Sequence, residues 1–332
     1  SHQYTSINYD RISTIKTCFI LGIMQRSGTN YLYRMLRKHP DCAGPGPIWE
    51  DFFVSYSKYL KKYTQSVESK WDENWNIQDT IHDPQKILLA QLGIGIENFL
   101  KLQTQRSQHQ PKILLTKTPC VRGLNNFFDL FPNSYLLIII RDGRSVVESG
   151  VKSFNWSYDN AIKNWALNAK RVINFRNSNN IHSSRFKIVR YEDLFTDEKN
   201  KLIEIFNFLN LDSMKYNFDV LRNLGVVGSS DLKEHSNKIH WKPQKKDNDF
   251  SPLQRFSNWP EKRLKKFYWV AGNQMSDLGY SIKNDYKISK IFILQNKILD
   301  FLKLLYYYAR KFLIDAVQVK TDKEKTTKRH SV

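Results

Sequence analysis

Residues 18–36 read CFILGIMQRSGTNYLYRML, and this stretch decides the fold. Cys18 to Met24 is an apolar run bounded by polar sequence and too short for a helix, so it predicts a buried strand. A turn of small residues, Gln25-Arg26-Ser27-Gly28-Thr29-Asn30, follows at once. From Thr29 to Lys38 the residues Tyr31, Leu32, Met35 and Leu36 fall at helical spacing, and His39-Pro40 stops the pattern. A strand, a tight turn and a helix in this order expose backbone N–H groups at a helix N-terminus, which suits a phosphate. No Lys stands beside Gly28 to complete GxxxxGK[ST], which disfavours an ordinary ATP or GTP loop. On this motif alone, a purely structural turn is the alternative.

Downstream, Gly44 to Pro47 form a Gly/Pro loop, Trp49 to Leu60 predicts a helix with aromatics along one face, and Lys61 to Asp83 a polar surface excursion carrying Trp71 and Trp75. Ile87 to Leu102 and Gly123 to Phe131 predict helices; Lys112 to Thr116 (KILLT) and Tyr135 to Ile140 (YLLIII) predict buried strands. Helices follow from Ser145 and over Tyr158 to Phe175, then a strand at Phe186 to Arg190, Glu192-Asp193 at a turn, and a helix from Lys199 to Leu209. Strands alternating with helices favour one parallel sheet, an α/β fold with a phosphate-binding turn. Asn223 to Trp259 is basic and loop-rich, as a functional lid would be.

The end of the chain differs in kind. Ile288, Ile291, Ile298, Leu302, Leu305, Ala309, Phe312, Ala316 and Val319 recur in steps of three and four with Lys and Arg between them, predicting a long amphipathic basic helix. Packing on the domain, self-association and an anionic membrane surface are its three possible uses. The charged end TDKEKTTKRH predicts disorder. The expected division is an extension over 1–16, a domain over 17–284, the amphipathic helix over 285–320 and a disordered tail over 321–332.

The chain has 332 residues with 52 Lys and Arg against 32 Asp and Glu, a net charge of +20, which points to an anionic partner without choosing among nucleic acid, acidic lipid and phosphorylated small molecules. Cys18, Cys42 and Cys120 are odd in number and lack a CxxC pair, so neither a disulfide framework nor a thiolate metal site is expected. A reducing, cytoplasmic setting follows, the alternative being a lumenal domain whose N-terminal anchor has been removed.

A second site raises the odds of phosphate chemistry. YLLIIIRDGRSVVES places Arg141 at the carboxyl end of a strand and Ser149 two helical turns further, where ligands gather in open α/β sheets. Arg141 with a hydroxyl suits a second phosphate, although Arg141-Asp142 alone reads equally as a strand-end ion pair.

With LTKTP (115–119), HPDC (39–42), LFPNS (130–134) and VRYEDL (189–194), these segments resemble the sulfotransferase family over Phe19 to Leu194, and more weakly to Gly279-Tyr280. Among its branches the motifs are nearest the Golgi-type and bacterial group that includes tyrosylprotein sulfotransferases. The resemblance implies the donor 3′-phosphoadenosine 5′-phosphosulfate (PAPS), no metal, and a central parallel sheet. Carried over by position, Arg26, Ser27, Gly28, Thr29 and Asn30 would hold the 5′-phosphosulfate, Arg141 and Ser149 the 3′-phosphate, and Tyr191 would lie against the adenine. Lys117 would support the departing phosphate together with Arg26. Arg255, Lys242 and Lys245 lie in a segment resembling the family's cover over the cofactor.

A base must take the acceptor proton. The resemblance places a Glu in the loop after the first helix, here Glu50 in PGPIWED, with Asp51 as the alternative. His39, His82, His235 and His240 are the candidates if the base is a His, with His39 expected to be structural. The leading expectation is an O-sulfotransferase acting on a hydroxyl of a small metabolite or carbohydrate, without nucleic acid as a partner. The alternatives are a protein tyrosine sulfotransferase and a non-catalytic nucleotide-binding protein held to a membrane or partner by its basic helix.

Overall fold

The computed structural model describes residues 13–102, 104, 110–225, 253–282 and 288–329. The strands β1 (Lys16–Gly22), β2 (Cys42–Ala43), β3 (Ile113–Thr118), β4 (Tyr135–Ile140) and β5 (Phe186–Arg190) form one parallel sheet in the order β2-β3-β1-β4-β5. The helices are α1 (Thr29–Leu36), α2 (Ser57–Glu68), α3 (Ile77–Thr80), α4 (Pro84–Leu102), α5 (Phe127–Leu130), α6 (Gly143–Phe154), α7 (Tyr158–Ser178), α8 (Tyr191–Thr196), α9 (Glu198–Phe208), α10 (Glu261–Asp277) and α11 (Lys290–Arg329). Two compact units result, residues 1–260 with 270–282, and residues 261–269 with 283–332.

The central strands are apolar because both faces of a parallel sheet are covered. Every residue of β3 and all but Tyr135 of β4 is buried. Along β1 the side chains alternate between faces. Phe19 stacks on Phe131 with ring centres 4.4 Å apart and meets Phe127 edge-on at 5.3 Å. Cys18 and Ile20 enter a second cluster with Leu32, Met35, Leu137, Val189 and Phe206.

The topology fixes where a ligand sits. From β1 the chain moves to β2 and β3 on one side of it, then crosses to place β4 on the other. Ligands bind outside the carboxyl ends of the strands where the winding reverses, here at the end of β1. The register Leu21↔Thr118 and Gly22↔Ile139 brings the ends of β3 and β4 alongside the turn after β1.

Two expected strands, Tyr135 to Ile140 and Phe186 to Arg190, match the observed bounds. The expected helix over Trp49 to Leu60 is corrected: Val54–Tyr56 is a 3₁₀ turn and helix α2 begins only at Ser57. Residues before it are spoken for by β3. The Asp51 N–H donates to the Lys117 carbonyl (3.3 Å) and the Phe52 N–H to Thr118 Oγ1 (3.0 Å), while Phe52 takes a φ of 56°. Backbone groups bound to a strand end cannot enter a helical ladder. Gly123 to Phe131 is likewise a 3₁₀ turn over Leu124–Asn126 followed by the short α5, with Gly123 at φ 78° ahead of both. Glu192-Asp193, expected at a turn, lie inside α8.

Helix α11 runs from Lys290 to Arg329, past residue 320 where the expected helix ends. No helix among the described residues is long and apolar enough to cross a membrane.

Candidate active site

The turn after β1 is built by its own side chain. Ser27 Oγ donates to the Met24 carbonyl (2.6 Å) and accepts from the Met24 N–H (3.2 Å), closing the loop on itself. Arg26 sits at φ 74° and Gly28 at φ 96°, both left-handed. Gly28 is the N-cap of α1 and supplies no side-chain acceptor, so the first N–H groups of the helix face whatever anion lies above them. A Cβ on Gly28 would run into the Tyr191 ring. Gly28→Ala is therefore expected to lower stability by at least about 2 kcal/mol, from left-handed strain plus overpacking. An unchanged midpoint in urea unfolding would contradict this.

Around this turn the structure gathers the residues expected at both phosphate positions. Arg141 donates to the Arg26 carbonyl (2.9 Å), and Arg26 Nε donates to Ser149 Oγ (3.0 Å). The Arg141 guanidinium lies 4.5 Å over the Tyr191 ring and that of Arg26 5.5 Å from Phe154. Arg141, Arg255 and Arg26 all act on the Tyr191 phenol: burial pushes its pKa up, and the three cations pull it down against Glu192. Two guanidiniums at the turn, with a third in electrostatic reach of Tyr191, make a site for a highly charged anion.

Asp142 caps α6, accepting from the Arg144 N–H (2.8 Å) and pairing with the Arg144 side chain (2.5 Å). The Arg141 guanidinium reaches the turn. Sequence reasoning passed over Glu192, which accepts from the Asp142 N–H (2.8 Å) and the Tyr280 hydroxyl (3.1 Å) and so fixes the end of β4. Burial holds its carboxyl above its ordinary pKa.

Tyr191 is buried against Gly28, Arg141, Tyr31 and Phe195. Thr29 is also buried and Asn30 half-buried at the start of α1.

On the β3 side stands Lys117. Its side chain is 1% exposed, its ammonium is 3.5 Å from Glu50 Oε1, and that nitrogen has no hydrogen bond of good geometry. The Trp49 ring lies 4.1 Å from it and that of Tyr33 5.8 Å. Burial lowers the Lys117 pKa to about 8, opposed by the attraction of Glu50 and Asp51. A buried cation with one loose partner is poised for a better anion.

Geometry separates the two acidic candidates. Asp51 is buried and engaged: one oxygen accepts from Thr116 Oγ1 (2.6 Å), the other from the Phe53 N–H (2.8 Å), and burial raises its pKa. Glu50 keeps 25% of its side chain exposed and faces Lys117. Of the two, Glu50 alone presents a carboxylate to an entering molecule.

A cleft of about 540 Å³ opens between the turn after β1 and α7. Met24 and Gln25 of the turn, Phe52, and Pro119-Cys120 after β3 form one wall; Trp156, Asn160, Asn164 and Asn168 from the α7 side form another, with Arg122 and Arg171. At four-residue spacing the three amides share one face of α7.

His39 is structural, as expected: its Nδ1 accepts from the Asp41 N–H (3.1 Å) and its Nε2 donates to the Asp212 carbonyl (2.9 Å) beneath Phe206. His82 is exposed. His235, His240, Lys242 and Lys245 lie outside the described residues. The described residues contain no group of three or more His, Cys, Asp or Glu placed to hold a metal ion.

Residues 18–215 match the model of a family described as the sulfotransferase family. No curated protein sequence matches the chain. Among solved structures the chain is similar to the sulfotransferase domain from the curacin biosynthetic pathway, at 21% identity, covering 81% of this chain and 99% of that one with a TM-score of 0.50. It is also similar to the sulfotransferase domain of the Synechococcus PCC 7002 olefin synthase (17% identity, 86% and 95% covered, TM-score 0.41). A mouse sulfotransferase complexed with PAP gives 10% identity, 89% and 95% covered, and TM-score 0.42.

Proposed function

Because the chain belongs to the sulfotransferase family and is an enzyme of that family, we propose that it moves the sulfuryl group of PAPS to a hydroxyl of a small metabolite or carbohydrate. One observation carries this reading: Arg26 and Arg141 meet at the turn before α1, with Arg255 within electrostatic reach of the Tyr191 ring beneath it, while the buried Lys117 and the accessible Glu50 face one another at 3.5 Å.

The residues present fit a donor with two separate phosphate positions. The N–H groups at the start of α1, with Arg26, Ser27, Thr29 and Asn30, would take the 5′-phosphosulfate. Arg141 and Ser149 would take the 3′-phosphate, with Arg255 adding charge. Tyr191 in this arrangement supports the floor of the turn and Arg141.

The transfer is an in-line displacement. The acceptor oxygen forms a bond to sulfur as the bond from sulfur to the donor's phosphate oxygen breaks, and the electron pair leaves with that oxygen. Glu50 takes the acceptor's proton. Lys117 and Arg26 neutralise charge growing on the leaving oxygen, the role Mg²⁺ fills in phosphoryl transfer.

The cleft favours a compact hydroxylated acceptor. Amide side chains at Gln25, Asn160, Asn164 and Asn168 offer paired donors and acceptors to sugar-like hydroxyls, and Trp156 and Tyr56 offer ring faces. On this reading the catalytic domain is residues 17–284, with the extension 1–16 and helix α11 outside it.

Incubation with PAPS and a panel of polyols, sugars and phenols, read by mass as gain of one SO₃, tests the acceptor class. Transfer to hydroxylated metabolites or sugars is expected. Transfer confined to peptide tyrosine would overturn the acceptor assignment, and none from PAPS to any acceptor would overturn the activity.

A further inference from the structure

We propose that helix α11 is an interfacial anchor that lays its apolar face on an anionic lipid surface. Ile291, Leu294, Ile298, Leu302, Leu305 and Tyr306 all stand exposed on it, Ile291 at 69% and Tyr306 at 70%. At 3.6 residues per turn the exposed apolar residues between 291 and 308 cover roughly half the circumference as one continuous face. The opposite side, which carries Asn296 and Asp300 together with Phe292 and Ile293, is the less exposed one. Asn296 there is buried at 5%, and Asp300 pairs with Lys266 at 4.0 Å. The helix is thus covered on the side of Asn296 and Asp300, where Phe292 and Ile293 are half-buried, and keeps a second, wide apolar face exposed, more than a helix docked only for its own burial would leave.

Charge selects the occupant. Lys290 and Lys297 fall along one rim of the apolar face and Lys303 and Arg310 along the other. Asp300, the sole acidic residue between 290 and 311, lies on the far side. Two copies packed face to face would bring rims of like charge together, whereas a self-associating seam is narrow and pairs opposite charges. A lipid interface accepts a wide apolar face, lets Lys and Arg reach the headgroups from its edges, and seats tyrosine at the boundary. Anionic headgroups match the sign of both rims. Nothing in this inference depends on the donor or acceptor of the reaction.

Co-sedimentation of the full chain with vesicles tests it. Vesicles of phosphatidylcholine with about a third phosphatidylserine are expected to bind at least about tenfold more tightly than phosphatidylcholine alone, the difference shrinking in high salt. Ile298→Glu with Leu302→Glu should abolish binding to both. Lys297→Glu with Lys303→Glu should remove the preference for phosphatidylserine, with the unfolding midpoint of each variant reporting that it is folded. Absence of vesicle binding, or binding indifferent to phosphatidylserine, would overturn the proposal. So would a concentration-dependent dimer that Ile298→Glu with Leu302→Glu dissociates, without vesicle binding by the unaltered chain.

Discussion

Glu50→Ala is expected to lower turnover by about 10²-fold or more while leaving affinity for 3′-phosphoadenosine 5′-phosphate (PAP) unchanged. The carboxylate is a quarter exposed and sits 3.5 Å from the Lys117 ammonium, two residues before Phe52, which lines the cleft. It lies on the β3 side of the site, away from the Arg26–Ser149 contact, so its removal takes the proton acceptor without dismantling the phosphate site. Asp51→Asn provides the contrast. Asp51 holds the loop to β3 through Thr116 and the Phe53 N–H, so its replacement should lower the unfolding midpoint more than turnover per folded molecule. Full turnover in Glu50→Ala would remove Glu50 from the mechanism.

Lys117→Met is expected to cost about 10²–10³-fold in turnover, the scale of losing one preorganised donor to a developing negative charge. The pH dependence identifies the group. Burial lowers the Lys117 pKa to about 8, so the donor-free enzyme loses this cation as pH rises through that value. kcat/KM for the donor should therefore fall on the alkaline side near pH 8. Lys117→Arg should lack that limb, because a guanidinium stays charged. Glu50 raises the Lys117 pKa, so in Glu50→Ala the limb should move to lower pH. Stability carries the opposite sign. Between about 8 and the ordinary value of 10.5 the unfolded chain holds this proton and the folded chain does not, so the Lys117 contribution to stability rises with pH across that window. A flat kcat/KM profile from pH 7 to 10 would contradict the role given to Lys117.

What the sequence revealed followed burial. YLLIII and FKIVR lie in the sheet, where apolar runs too short for helices have one physical explanation, and both strands match to the residue. The turn at Gln25–Asn30 was legible because a helix pattern starts immediately after a strand pattern. Trp49–Leu60 misled because an aromatic periodicity says nothing of where backbone N–H groups go. Those of Asp51 and Phe52 are taken by β3 across some 65 residues of sequence, a contact no local pattern encodes. The same capture fixes Glu50 opposite Lys117. The partnership of Asp142 with Arg144 and Glu192 was equally invisible, since Arg141-Asp142 reads locally as a pair. Trp49 over the Lys117 ammonium carried no sequence signal either.

Calorimetric titration with PAP, against AMP and ATP, tests the central claim most directly, because it asks whether the two anion positions are one nucleotide site. The account predicts tight binding that requires the 3′-phosphate and is lost by about 10²-fold in Arg141→Ala, a charged bidentate contact being worth a few kcal/mol. Equal affinity for AMP and PAP, or PAP binding indifferent to Arg141→Ala, would contradict it.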